Sequence, residues 1–141
     1  MTDRRTLVDM LGATPLFSGL SRKELETILT TAREVDHPAG GAVVAEGSEG
    51  VGFHLILAGS ATVTQRDRRL RTLGPGDSFG DIALIDGGAR SATVTADTPL
   101  RTLSLASWEF KPLLETNAQI AYKLLVELCR RLREAEERVP V

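Results

Sequence analysis

The chain has 141 residues, a formal net charge of −2 and hydrophobic residues at 42% of its positions. This length and composition predict one folded domain that buries a core without disulfides, and the only cysteine, Cys129, excludes an intramolecular one. The small net charge gives no general attraction to nucleic acid or to anionic membranes. No segment is apolar enough for a signal peptide or a membrane span, so we expect a cytoplasmic protein.

Residues 1–34 predict two helices at the start of the domain. Apolar residues share one side of a helix up to Leu11, and residues 14–19 then form a turn. The Ser-Arg-Lys-Glu sequence that starts at Ser21 is a capping box, and apolar residues follow it at helical spacing as far as Ala32. We expect this second helix to end before His37.

Residues 35–106 change to the pattern of an all-β segment. Short runs rich in Val, Leu, Ile and Thr alternate there with Gly, Pro and Asp, which indicates a small sandwich or barrel. The predicted strands lie at 42–45, 53–58, 61–66, 70–73, 92–96 and 100–105.

Residues 107–138 predict helices again. Ser107 is placed to cap a helix to about Glu115, and the four residues from Thr116 have the pattern of a second capping box. The long helix that follows carries an apolar heptad seam, which predicts either packing within the domain or a homodimer. The seam comprises Ala118, Ala121, Leu125, Leu128, Leu132 and Ala135.

One segment between the predicted strands has the features of an anion site. A short helix that begins at Gly80 exposes backbone N–H groups, which bind anions, and the glycine permits close approach. Arg90 offers a forked guanidinium for phosphate oxygens, and Ser91 adds a hydroxyl. Asp81 is an acceptor that suits a ribose hydroxyl, so the combination predicts a nucleotide. The structural alternative is that Gly80 and Asp81 cap the helix while Arg90 pairs with Asp81 or Asp86.

The wider sequence favours the ligand site. The residues FGDIAL at 79–84 and RSATV at 90–94 resemble the phosphate-binding cassette of cyclic nucleotide-binding domains. Residues 15–21, 53–60 and 73–80 also resemble, in order, that family's entry into its second helix, one of its strands with the following turn, and its approach to the cassette. The resemblance covers nearly the whole chain as a single domain, with the cassette at 79–92.

The resemblance implies an eight-stranded β-roll, mainly β with flanking helices and a long C-terminal helix that acts as a lid or dimer element. It implies a cyclic nucleotide ligand, cAMP more than cGMP, and no metal. Arg90 would pair with the cyclic phosphate and Ser91 would add a contact. The full implied ligand-binding set is Val63, Phe79, Gly80, Asp81, Ile82, Ala83, Arg90 and Ser91.

The other roles in this set also follow from the resemblance. Gly80 and Asp81 would meet the ribose 2′-hydroxyl, and the base would lie against Val63 and the final helix. Ile82 and Ala83 would supply backbone donors to the phosphate. The family's usual acid is glutamate, so we expect the shorter Asp81 to reach the ribose either through water or after a shift of the backbone.

The sequence ends soon after its last predicted helix, without the helix-turn-helix that follows in bacterial transcription factors of this family. We therefore expect a non-enzymatic sensor, either stand-alone or part of a larger protein, that signals to a separate effector protein and binds no nucleic acid itself. One alternative is a degenerate fold that serves as a protein-interaction module without nucleotide. A cupin-type enzyme is disfavoured because His37 and His54 lack a third metal ligand.

Three remaining features predict ordinary structural roles. Cys129 has no histidine placed to activate it, so we expect it to be buried or to lie at a helix interface. The arginine-rich residues 66–71 predict a solvated hairpin tip. Tyr122 and Lys123 are expected on an exposed helix face.

Overall fold

The structure is a computed structural model that describes residues 2–48 and 52–137. Within these ranges no helix is long and apolar enough to cross a membrane. The helices are α1 Arg4–Gly12, α2 Arg22–Leu29, α3 Asp81–Asp86, α4 Ser107–Thr116 and α5 Ala118–Glu136. The strands are β1 Ala32–His37, β2 Ala42–Val44, β3 Gly52–Ala58, β4 Ala61–Gln65, β5 Arg68–Leu73, β6 Ser78–Phe79, β7 Thr93–Ala96 and β8 Leu100–Ala106.

The chain divides into two compact units. The strand unit, Thr30–Lys111, holds the described strands and α3, and the helical unit combines the residues up to Leu29 with those from Pro112 onward. The strand unit contains two four-stranded antiparallel sheets, in the orders β1-β8-β3-β6 and β2-β7-β4-β5. The predicted eight-stranded β-roll with flanking helices is thereby confirmed.

The two sheets share one apolar core. Ile56 and Leu100 from the first sheet pack with residues of all four strands of the second. The central strands β3 and β8 are buried along most of their length, whereas the edge strand β5 is exposed except at Leu73. Four arginines lie on the β4–β5 hairpin, and charge on an edge strand deters pairing with another chain.

Strand β1 differs from the sequence prediction, which continued the preceding helix as far as Ala32. Helix α2 ends at Leu29, and Ala32 already pairs with Leu105 of β8. Arg101 of β8 holds Glu34 and Asp36 of β1 in ion pairs of 3.1 and 3.0 Å. The polar sequence of β1 carries little strand signal because its partner lies some 65 residues away along the chain. The two-residue β6 was also absent from the predicted set.

The capping box at the start of α2 is confirmed and has an additional partner. Ser21 N donates to Glu24 Oε1 at 2.8 Å, and Glu24 N donates to Ser21 Oγ at 3.2 Å. Glu24 Oε1 also accepts from Lys123 Nζ of α5 at 2.7 Å, so Lys123 is ion-paired instead of lying on a free face. This bond to Lys123, followed by the Ser21 N–H, lowers the pKa of the Glu24 carboxyl.

The predicted capping box at Thr116 is wrong. Asn117 occupies the N-cap position of α5 and makes no capping hydrogen bond with its side chain. The Thr116 hydroxyl instead donates to Pro112 O at 3.0 Å, and Asn117 Nδ2 donates to Leu113 O at 2.8 Å. Both side chains therefore close the end of α4, because the break between the two helices is too short to free them.

The faces of α5 also differ from the predicted seam. The buried residues are Ile120 and Leu124, which the heptad pattern placed beside the seam. Cys129 is exposed, so the prediction that it is buried is wrong within this chain. An exposed seam at steps of three, four and three residues remains, and Tyr122, Leu125 and Leu132 are each more than half exposed in it. The exposed seam consists of Tyr122, Leu125, Cys129 and Leu132.

We expect Glu24→Ala to lower the free energy of unfolding by about 1–2 kcal/mol, because it removes the reciprocal cap and the Lys123 pair together. Glu26→Ala is the matched control on the same helix, since Glu26 makes an exposed pair with Arg22 at 3.8 Å. That change should cost less than about 0.5 kcal/mol. Urea unfolding of the three proteins at neutral pH measures the difference, and equal losses in both variants would contradict this role.

Candidate functional site

Helix α3 begins where β6 brings the chain alongside β3. Phe79 pairs with His54 across these strands, and Gly80 follows as the N-cap with a φ of 91°, in the left-handed region. A Cβ at Gly80 would collide with Gly52 O and with Arg90 Nη1. Only glycine therefore fits both the backbone conformation and the close approach at this point.

Helix α3 ends in a second left-handed glycine. Gly87 has a φ of 67° and its N–H donates to Ala83 O at 2.9 Å. Asp86 Oδ1 accepts from Gly88 N at 2.7 Å, so this carboxylate caps the turn that returns the chain to Arg90. The turn explains how residues ten positions apart come into contact at the start of α3.

Arg90 is the buried cation of this region, with 7% of its surface exposed. Its Nη2 donates to Gly52 O, and its backbone bonds to Ser48 O at 2.9 Å and to Gly47 N at 2.8 Å. Burial lowers the pKa of the guanidinium. Within the described residues Arg90 Nε is buried without a hydrogen-bond partner. A buried guanidinium held by a neutral carbonyl and with an unused donor suits an anion.

The other predicted site residues belong to the same strand unit as Gly80 and Arg90. Ile82 is 67% exposed and Ala83 is buried in the first turn of α3. Ser91 is exposed, and its carbonyl accepts from Gln65 Nε2 at 2.9 Å, which ties the cassette to β4. Val63 of β4 and Phe79 both pack against the apolar core between the sheets. The structure thus places an apolar surface and a buried cation in the same strand unit, as a nucleotide requires.

His54 is a residue whose environment the sequence did not reveal. Its ring stacks on Phe79 with the centroids 5.1 Å apart, and its Nδ1 lies 2.8 Å from Ser104 Oγ. A hydroxyl relay continues from Ser104 Oγ to Thr102 Oγ1 at 2.9 Å and to His37 Nε2 at 3.0 Å. Burial, then the charges of Arg90 and His37, lower the pKa of His54 to about 3. One signal was available, because His54 is the only polar side chain in β3.

The family profile of the cyclic nucleotide-binding domain matches residues 34–117, which include every element of the site. The chain belongs to the cyclic nucleotide-binding domain family. It is 32% identical over 127 residues to the cyclic AMP receptor protein of Thermus thermophilus, covering 86% of this chain and 59% of that protein. The chain therefore spans about three-fifths of the length of this curated relative.

Solved structures agree with this assignment. The N-terminal domain of a transcriptional regulator from Streptomyces coelicolor A3(2) superposes with a TM-score of 0.86 and 28% identity, covering 94% of this chain and 95% of that one. The regulatory domain of Toxoplasma gondii PKA, solved with cAMP, gives a TM-score of 0.70 and 27% identity, covering 79% and 46%. The cyclic nucleotide-binding fold thus extends over most of the chain.

We expect Gly80→Ala to destabilise the protein by about 2–4 kcal/mol, because an alanine there adds a collision with Gly52 O to the cost of a left-handed backbone. Gly87→Ala is the matched control, since Gly87 is also left-handed but has no atom within 4 Å of the added Cβ. It should cost only about 1–2 kcal/mol. Thermal and urea unfolding of both variants measure the gap. Equal losses of stability in the two variants would show that the close approach of Gly52 O does not add to the cost at Gly80.

Proposed function

We propose that the chain is a non-enzymatic cyclic nucleotide sensor of the cytoplasm whose ligand is cAMP. The observation that carries the proposal is the buried Arg90, held by a neutral backbone carbonyl inside the phosphate-binding cassette of a cyclic nucleotide-binding domain. Two similar proteins support the choice of ligand, because one is a cyclic AMP receptor protein and the other was crystallised with cAMP.

The site residues divide between the parts of the nucleotide. Arg90 pairs with the cyclic phosphate, and its charge-assisted hydrogen bonds replace those that the phosphate made with water. The backbone N–H groups of Ile82 and Ala83 add donors from the first turn of α3, and Ser91 adds a hydroxyl. Gly80 and Asp81 meet the ribose 2′-hydroxyl, with a water between the short aspartate and the sugar. Phe79 and Val63 supply the apolar surface below the base.

The output of the sensor is a change in the population of two states. Ligand binding orders residues 80–85, and the ordered state favours one arrangement of α5, whose exposed face outside the seam then contacts an effector protein. A ligand shifts such an equilibrium only by the difference in its affinity for the two states. Hydrogen exchange of α5 with and without cAMP reports this step directly.

We expect Arg90→Ala to weaken cAMP binding by roughly 30-fold to several thousand-fold, because it removes the charge-assisted phosphate pair from a desolvated site. Isothermal titration with cAMP and with cGMP measures the loss and the base preference in the same series. Arg68→Ala is the control, since it deletes an equal charge from the exposed hairpin of the same unit.

Near-normal cAMP affinity in a folded Arg90→Ala protein would remove Arg90 from the site. Wild-type protein that binds neither nucleotide would overturn the sensor function and favour a protein-interaction module with the same fold. Tighter binding of cGMP would retain the sensor and replace its ligand.

We further propose a homodimer formed by parallel pairing of α5 through the exposed seam. The seam presents apolar residues at heptad steps. Three large apolar side chains on one stripe are typical of a helix that packs against a partner and not of a solvated helix. In a parallel pair each seam residue lies opposite its own counterpart, so the two copies of Cys129 would adjoin. The native cysteine is therefore a reporter of both pairing and direction.

We expect wild-type protein to sediment as a dimer and Leu125→Glu to sediment as a monomer, because the change places two like charges in an apolar seam. Mild oxidation should cross-link the wild type through Cys129, whereas Cys129→Ser should dimerise without cross-linking. Glu115→Gln, outside the seam, is the control. Sedimentation of the wild type as a monomer, with and without cAMP, would contradict the dimer.

A further inference from the structure

His54 lies next to Arg90 by the geometry of β3. Gly52, whose carbonyl accepts from Arg90 Nη2, precedes His54 by two residues on β3, so their Cα atoms are about 7 Å apart. His54 also stacks on Phe79, the residue before Gly80, whose Cα faces Arg90 Nη1. The charge of Arg90 also acts on the His54 imidazole, which agrees with two side chains that lie near each other.

Two side-chain atoms of the described residues are buried without a hydrogen-bond partner, and they are Arg90 Nε and His54 Nε2. Unpartnered buried polar atoms are rare in folded proteins, and each one indicates a missing partner such as a water. Here the two atoms belong to neighbouring side chains. A single water between them gives both atoms a partner.

The chemistry of arginine decides which of the two atoms donates, and the hydroxyl relay is compatible with that choice. Arg90 has only donors, so a neighbouring Nε2–H would leave two buried donors facing each other. If His54 carries its proton on Nδ1, it donates to Ser104 Oγ, Ser104 donates to Thr102, and Thr102 donates to His37 Nε2. Every hydrogen bond in the relay then has one donor and one acceptor. His54 Nε2 is left with a lone pair.

We propose that His54 is the positioning residue of the phosphate-binding arginine, accepting at Nε2 through one bridging water that takes the Arg90 Nε–H bond. The Gly52 carbonyl and the His54 imidazole then hold two separate nitrogens of the guanidinium. This fixes the rotation of its fork and leaves the remaining N–H groups directed at the phosphate. The inference rests on the proposed cyclic nucleotide function.

The neutral state that this role requires is favoured by the surroundings of His54. Burial is the largest cause that lowers its pKa to about 3, and the charge of Arg90 acts in the same direction. The imidazole is therefore uncharged at neutral pH. A charged imidazole would repel the guanidinium and would have no lone pair to offer.

Two conservative variants separate Nε2 from the rest of the ring. A glutamine amide reaches about as far from the backbone as Nε2, whereas an asparagine amide reaches only about as far as Nδ1. We expect His54→Gln to bind cAMP within about twofold of wild type and His54→Asn to bind about tenfold more weakly, the equivalent of one hydrogen bond. Thermal unfolding of both variants checks that they share one stability.

Equal affinities in the two variants, whether high or low, would overturn the positioning role of Nε2. A measurement on the unmutated protein removes any dependence on folding of the variants. Long-range ¹H–¹⁵N correlation of the His54 ring should show the proton on Nδ1. The opposite tautomer would also overturn the proposal.

Failure of the proposed function gives a different pattern. If wild-type protein binds neither cAMP nor cGMP, the sensor function fails while the His54 inference is still decided by the Arg90 Nε–H resonance. We expect that resonance to be slow to exchange in wild type and His54→Gln and to exchange faster in His54→Asn. Identical exchange in all three proteins would overturn the inference.

Discussion

The constraint on which the functional end of the strand unit depends is the burial of a guanidinium. Removing a cation from water costs several kcal/mol unless hydrogen bonds replace its hydration. The fold provides Gly52 O for Nη2 and backbone bonds at residues 47 and 48 for the main chain of Arg90. These anchors hold the charge inside the unit before any ligand arrives, so an anionic ligand meets a preorganised donor.

The glycines follow from that constraint. A guanidinium that lies against the backbone at the start of α3 leaves no volume for a side chain, and the left-handed turn at Gly80 brings the helix N-terminus to the same point. The same constraint explains why β6 is short. Its two residues are enough to pair Phe79 with His54 of β3, directly before Gly80. The left-handed turn at Gly80 and the pairing of β6 with β3 are therefore both compatible with the buried position of Arg90.

The cassette could be predicted from the sequence because its chemistry is local. Gly80, Asp81 and Arg90 lie within eleven positions, and the two glycines between them indicate a turn. Strand β1 could not be predicted, since its polar residues form a strand only through ion pairs with Arg101, far along the chain. The capping box predicted at Thr116 is wrong for a related reason. The Thr116 hydroxyl donates to a carbonyl of the preceding helix instead of capping the following one.

The relay shows a second limit of sequence reasoning. From the sequence, His37 and His54 suggest only an incomplete metal site, because a sequence shows residue types but not which hydroxyls lie between them. Thr102 and Ser104 alternate on one face of β8, and β1 and β3 flank that strand on its two sides. The antiparallel register alone therefore joins the two histidines.

The cassette belongs to the strand unit and α5 to the helical unit, which limits how the proposed sensor can act. Communication between them is then a coupling free energy between two states, and it is reciprocal: an effector that prefers the ligand-bound state must tighten the ligand equally. To reverse a 1:99 population the ligand needs about 10⁴-fold preference for one state. The phosphate pair at Arg90 contributes to this preference only by the difference in its strength between the two states, because a guanidinium that is anchored equally in both states shifts neither.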